Sequence, residues 1–116
     1  MNLILLEDAD FIDSGTARLT GRRAQHLLTH VKVAPGKICK AGRLNGPLGD
    51  GEITAVDDQS VTLRFTPKSP PPATSPVTLL CALPRPKTFH KVVHTATVMG
   101  VKTMIFFETY KVDKSY

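Results

Sequence analysis

The sequence is short of the features that mark an oxidising compartment, a membrane or a metal-dependent class. Its two cysteines, Cys39 and Cys81, lie far apart, each inside an apolar run and with no C-x-x-C spacing. They read as two small buried hydrophobes, not as a disulfide or a zinc site. The opening residues are apolar for only five positions with no basic segment before them, so they read as a strand and not a signal peptide. No run approaches the length that spans a bilayer. These absences lead us to expect a cytoplasmic protein with no membrane partner. Catalytic constellations are missing as well: no nucleophile stands beside a base, and no carboxylate pair is set for acid and base work. The visible residues bind; none is assigned a catalytic role.

Carboxylates are absent from two long stretches, and that absence carries more information than the net charge of +5. Ser14 to Leu44 holds seven basic residues (Arg18, Arg22, Arg23, Lys32, Lys37, Lys40, Arg43) and no acid, directly after Glu7, Asp8, Asp10 and Asp13. Gln59 to Phe107 is also free of acids and carries Arg64, Lys68, Arg85, Lys87, Lys91 and Lys102. Gathered cations favour a polyanion, because Lys and Arg near phosphates release counterions and supply sequence-independent affinity. Nucleic acid is the usual partner of that kind, and a merely basic soluble surface is the alternative.

With 116 residues, 41% of them apolar, the chain can bury one core of moderate size. Five short apolar runs come first: Asn2 to Leu6, Ala17 to Thr20, Lys37 to Leu44, Glu52 to Val56 and Ser60 to Phe65. Turn chemistry separates them at Pro35-Gly36, Asn45-Gly46-Pro47, Gly49-Asp50-Gly51 and Asp57-Asp58, the pattern of a small antiparallel barrel. One helix interrupts the strands. Thr20 is suited to cap it, and Ala24, Leu27, Leu28 and Val31 fall on one face at helical spacing. The other face carries Arg22, His26 and His30, with Arg23 beside them. That stripe can meet a phosphate backbone or simply face solvent.

From Pro67 to Pro76 five prolines fall in ten residues, which reads as an extended linker and a domain boundary. Beyond it the texture changes. Val77 to Leu83 and Thr103 to Phe107 are apolar without alternation, the pattern of parallel strands buried on both faces. Between them Phe89, Val92, Val93 and Ala96 mark a helix capped by Thr88 and stopped at Gly100. This is a βαβ unit with no closing helix, so the second domain reads as cut off at Lys114-Ser115-Tyr116, with an apolar face that invites self-association.

Two motifs have plainer explanations than their spacing suggests. His26 and His30 have the H-x-x-x-H interval, but Leu27 stands where a metalloprotease needs Glu and no third ligand is evident, so no metal is expected. Gly46-Pro47-Leu48-Gly49-Asp50-Gly51 is not followed by a helix and reads as a hairpin turn. Pro84-Arg85-Pro86-Lys87 stands out because it joins a parallel strand to a helix, the edge where open α/β sheets bind ligands. Arg85 and Lys87 there face phosphate or are ordinary surface charges.

A set of segments taken together resembles a known family. They are His26-Leu27, Val31-Lys32-Val33, Gly36, Asn45-Gly46, Gly51-Glu52-Ile53, Ala82-Leu83-Pro84-Arg85-Pro86-Lys87, Met99-Gly100-Val101-Lys102 and Tyr110-Lys111-Val112-Asp113-Lys114-Ser115-Tyr116. The family is RsmE, the uridine-N3 methyltransferases of 16S ribosomal RNA, and the likeness covers this chain but about the first half of a member. It implies a PUA-like RNA-binding β-barrel at 1–66, a Pro-rich linker at 67–76, and at 77–116 the first βαβ unit of a SPOUT-type knotted methyltransferase domain. It also implies S-adenosylmethionine as cofactor, bound beyond this chain, a homodimer for the full-length protein, and a role in ribosome biogenesis. Lys32 stands where many members have Arg, and Val98 where many have an acid, which points to a divergent subgroup.

The leading expectation is therefore the substrate-gripping part of a methyltransferase acting on 16S ribosomal RNA or the small ribosomal subunit, inactive by itself. Arg22, Arg23, His26, Lys32 and Arg43 are expected to hold RNA from the barrel, and Arg85, Lys87 and Lys91 to extend that surface onto the second domain. The rival is a non-catalytic RNA-binding module. A protein-interaction domain with incidental charge is the weaker third.

Overall fold

Period-two burial shows where the chain forms strands. In the computed structural model, which describes residues 3–111, Ile4 and Leu6 are buried around an exposed Leu5, and Ala17 and Leu19 are buried around an exposed Arg18. The same alternation runs through five strands: β1 (Ile4–Leu6), β2 (Thr16–Thr20), β3 (Ile38–Arg43), β4 (Leu48–Val56) and β5 (Ser60–Ser69). They form one sheet in the order β1-β3-β4-β5-β2, in which β1 is parallel to β3 and every other pair is antiparallel.

Although β1 and β2 are consecutive in sequence, they occupy opposite edges of this sheet. A flat five-stranded sheet would hold those edges roughly 19 Å apart. Arg23, three residues beyond the end of β2, nevertheless donates to the Leu5 carbonyl on β1 at 3.0 Å. The sheet is therefore curled. Its concave side buries Leu6, Leu19, Ile53, Val61 and Leu63 almost completely.

One helix plugs the curl. Thr20 stands at its N-cap position in extended backbone, although its hydroxyl makes no capping bond, and Gly21 follows with φ +61°, a value that L side chains resist. The chain thus turns from strand to helix within one residue. Helix α1 (Gly21–His26) continues into a wider, π-type turn over Leu27–Val31, which ends at Lys32 in the left-handed region. Ala24 and Leu27 are buried, and Leu28 and Val31 pack partly against the same core, so the expected apolar face is the one that faces inward.

Two expectations about turns are corrected. Gly49-Asp50-Gly51 does not separate strands; it lies inside β4, and the turn is at 44–47. A Cβ on Gly49 would sit 2.0 Å from the Thr66 carbonyl oxygen, so glycine is required there by the close approach of β5 and not by a reversal of the chain. The proline-rich segment is likewise not a linker from end to end. Pro67 pairs with Gly49 in β5, and Pro76 lies in β6 (Ser75–Ala82). Both prolines sit where the strand register slips, so a missing N–H donor costs no regular ladder bond.

The chain divides into two compact units, Met1–Pro72 and Ala73–Tyr116. In the second, β6 and β7 (Val101–Phe107) pair in parallel and are joined by α2 (Pro86–Val98). Its N-cap is Arg85 and not Thr88, because Pro86, with φ already helical and no N–H to satisfy, occupies the first turn. Phe89 meets Phe106 edge to face at 4.6 Å, and Ala96 is buried. Burial on both strand faces is not seen among the described residues: Leu80, Ile105 and Phe107 remain 66%, 49% and 40% exposed. Cys81 is half-buried where full burial was expected, and Cys39 is buried. The fold class is thus a mainly β unit with a curled, barrel-like sheet and one plugging helix, followed by a βαβ unit. Residues 112–116 of the family-like C-terminal segment lie outside the described residues.

Replacing Gly49 by Ala should lower the free energy of unfolding by at least about 2 kcal/mol, because the clash is with backbone and not with a movable side chain. Urea denaturation monitored by circular dichroism gives the value, and an unchanged midpoint would show that β4 and β5 separate freely at this point.

Candidate nucleic-acid interface

The folded chain redistributes the charges that look segregated in the sequence. Asp10 is buried, and its two carboxylate oxygens accept a bidentate pair from the Arg23 guanidinium at 2.8 and 2.7 Å. One of those oxygens also accepts the Glu7 backbone N–H at 2.7 Å. The hydrogen bond to Asp10 raises the Arg23 pKa above its ordinary value, against the opposing effect of partial burial. Arg43 is engaged in the same way at the surface: its Nε donates to Asp8 at 2.9 Å, and its guanidinium lies 5.1 Å from the centroid of the Phe11 ring. Arg18 lies 3.6 Å from Asp57 and donates to the Ser60 hydroxyl, and Lys68 pairs with Asp50. The acids that precede the basic segment thus fold back onto it.

Arg22 is different. It is exposed, and among the described residues no hydrogen bond or ion pair engages it. It lines two concavities. One, of about 440 Å³, lies between β1 and α1, with Leu3, Ile4, Leu5, Leu19 and Leu27 as its apolar lining and Arg23 and His26 on the same wall as Arg22. The other, of about 480 Å³, is lined by Arg18, Thr20, Gly21, Gln25, Gln59 and Ser60. His26 stacks on His30 with ring centroids 5.1 Å apart and planes 19° from parallel. The four-residue interval sets both rings on one face, and the Thr29 hydroxyl lies 2.7 Å from Nδ1 of His30. No group of three metal-ligating side chains gathers among the described residues.

Of the eight cations and imidazoles expected to hold RNA, the structure brings Arg22, Arg23 and His26 to one cleft. Lys32 ends the helical segment with φ 51°, and Arg43 stands at the end of β3; neither lines that cleft. In the second unit Arg85 caps α2, Lys87 is exposed in its first turn, and Lys91 borders an apolar groove with Val77, Leu79, Val92 and Met99. Arg18, Gln25 and Gln59 escaped the sequence reading. A signal for Arg18 was present, since it stands between the buried Ala17 and Leu19 and must point away from the core beside α1.

No protein-family model and no curated protein matches the chain. Solved structures do. The ribosomal RNA small subunit methyltransferase E from Neisseria gonorrhoeae bound to S-adenosylmethionine superposes with a TM-score of 0.67 at 13% identity, over 97% of this chain and 48% of that one. A predicted RNA methyltransferase from Thermotoga maritima gives 0.65 at 13% identity, over 100% and 52%. A Legionella pneumophila protein in complex with its bound cofactor S-adenosylmethionine gives 0.67 at 16% identity, over 98% and 50%. The chain has their fold. It spans about half the length of the structures it matches. The resemblance read from sequence segments and the likeness in three dimensions meet on the same kind of enzyme, since one neighbour bears the name of methyltransferase E.

Two substitutions separate structural cations from free ones. Arg23→Ala should destabilise the protein by about 1–3 kcal/mol, the cost of leaving the buried Asp10 carboxylate without its guanidinium partner and with only the Glu7 N–H. Arg22→Ala should stay within about 0.5 kcal/mol of the parent. Equal urea midpoints for the two variants would remove the distinction.

The turn between β4 and β5 supplies a pH test. The Ser60 hydroxyl, followed by the backbone N–H groups of Gln59 and Ser60 and by Arg18, holds the Asp57 carboxyl below its ordinary value of 3.8. A group depressed on folding stabilises above its unfolded pKa and loses that contribution as pH falls through the folded one. The urea-midpoint difference between the parent and Asp57→Asn should therefore be full at neutral pH and close below about 3.8. A difference independent of pH would assign the effect to geometry alone.

Proposed function

We propose that this chain is the RNA-gripping part of an S-adenosylmethionine-dependent methyltransferase that modifies N3 of a uridine in 16S ribosomal RNA. The observation that carries the reading is the superposition of almost the whole chain on half of enzymes described as RNA methyltransferases. The unpaired Arg22 beside an apolar cleft supports RNA contact, because a free guanidinium next to desolvated surface is suited to a phosphate and its base. In this reading the unit expected at 1–66 runs on to Ser69 with β5 and is the RNA-binding unit, the connection narrows to 70–74, and the stretch expected at 77–116, opening with β6 at Ser75, is the first βαβ unit of the methyltransferase domain. The site uses Arg22 and His26 foremost, with Arg23 and Arg43 already held by acids, and with Lys32, Arg85, Lys87 and Lys91 adding long-range attraction. The small ribosomal subunit is the partner, the enzyme is a homodimer, and its work belongs to ribosome assembly in the cytoplasm. Among the described residues no helix is long and apolar enough to cross a membrane.

The resemblance puts the cofactor's site beyond this chain. The segment after β6 reads Leu83-Pro84-Arg85-Pro86, without the glycines that would let backbone approach an adenosyl group. No contact to S-adenosylmethionine is therefore assigned here, and no methyl-transfer step is derived through it.

Arg22→Ala should weaken binding to a small-subunit ribosomal RNA fragment and lower the log-log salt slope by roughly one unit for each phosphate no longer neutralised. Gel-shift titrations at several salt concentrations measure both, and unchanged affinity and slope would take Arg22 out of the interface. Substrate specificity is read on the native protein with labelled cofactor and mapped product. Label found on an atom other than uridine N3 overturns the assigned chemistry, and binding without any transfer favours the non-catalytic module.

A further inference from the structure

Two concavities of the first unit share one wall, and Arg22 is that wall. They differ in chemistry. The cleft between β1 and α1 is floored by the buried Ile4, Leu19 and Leu27, and Leu3 and Leu5 stand at its side 44% and 43% exposed. Its other lining side chains are Arg22, Arg23 and His26. The neighbouring cleft is lined by polar side chains instead, Arg18, Gln25, Gln59 and Ser60 among them. Arg23 lines the first cleft but is bound to Asp10, so the cation left for a ligand between the two is Arg22.

We propose that this pair of clefts is a subsite for one unstacked nucleotide of single-stranded RNA, with the base in the apolar cleft and its phosphate on Arg22 at the mouth of the polar one. The inference rests on the RNA-binding reading above and adds to it the form of RNA taken. A duplex keeps its base faces stacked and presents only edges and phosphates, so it cannot fill an apolar cleft. A splayed base has two apolar faces and a polar rim, which is the chemistry of this cleft, with its aliphatic lining and the imidazole of His26 at the side. Such sites bind through stacking and a tracked backbone, and each seated base contributes substantially. Charge complementarity favours an anionic ligand, because neither cleft has a carboxylate in its lining, and the RNA-binding reading makes RNA that anion, with an acidic peptide as the competing outcome of the test.

Fluorescence titrations of the 116-residue chain at one salt concentration decide the matter. The probes are a labelled oligouridine, a duplex of equal phosphate count, and the same single strand with abasic linkers. The single strand should bind about tenfold more tightly than the duplex, and the abasic strand should lose that advantage. Arg22→Ala should weaken the single strand roughly tenfold while keeping the parent's urea midpoint. Methyl resonances of Leu3 and Leu5 should shift with oligouridine and stay still with the duplex. If no RNA binds, the functional reading fails and this one with it. If single strand and duplex bind alike and the Leu3 and Leu5 methyls do not move, the subsite alone is overturned and RNA binding stands. A glutamate- and leucine-containing peptide that shifts those methyls, and that RNA does not displace, overturns it in favour of a protein partner.

Discussion

A guanidinium and a carboxylate hold the two edges of the sheet together. Strand β1 is only three residues long and pairs on one side alone, with β3. So short an edge strand is marginal by itself. Arg23 anchors it from α1: the two ends of its fork take both oxygens of Asp10, and one of them also reaches the Leu5 carbonyl. Asp10 would otherwise be a buried charge held by the Glu7 backbone N–H alone, and such a group costs far more than a surface pair contributes. Because α1 follows β2 directly, this one contact sets the curl of the sheet. It also fixes the separation of β1 and α1, which are the two sides of the apolar cleft. The cleft therefore takes its shape from a residue already bound to a carboxylate.

The same contact changes how the net charge should be read. In the linear sequence four acids precede a run of seven cations, an arrangement that suggests one strongly positive face. In three dimensions Asp10, Asp8 and Asp57 return to Arg23, Arg43 and Arg18. Paired cations still contribute to the long-range field that attracts a polyanion, since pairing cancels charge locally and leaves the total of +5 untouched. What pairing removes is the directed hydrogen bond. Arg22 keeps that capacity beside the apolar cleft, with His26 on the same wall.

Much of the architecture was legible because it is carried by local periodicity. The alternation of Ile53, Val61 and Leu63 and the helical spacing of Ala24, Leu27, Leu28 and Val31 each report a face that is buried, whereas Ala55, expected on the same face as Ile53, is exposed because the register of β4 slips between the two. The features that were misjudged depend on groups distant in sequence. Gly49 looks like turn chemistry until the Thr66 carbonyl is seen against it, and Pro67 looks like linker until the register slip that accommodates it is known. The π-type turn over Leu27–Val31 has no signal in the apolar spacing, although the four-residue interval of His26 and His30 already sets both rings on one face. The candidate site divides in the same way. Arg22 and His26 follow from the polar face of the helix, whereas the structural duty of Arg23 needed the position of Asp10, thirteen residues away.

Identities of 13–16% with structures of the same fold mean that pattern, and not particular residues, maintains this architecture. A curled sheet needs apolar side chains at alternate positions and an anchor across its edges; it does not need a cation at position 22. Positions of that kind can change without cost to folding, so what they do is decided by the ligand. Arg23 and Arg22 are adjacent in sequence and identical in chemistry, yet one is consumed in shaping the cleft and the other is exposed at its rim. The packing of the first unit accounts for the first residue, and no hydrogen bond or ion pair among the described residues accounts for the second.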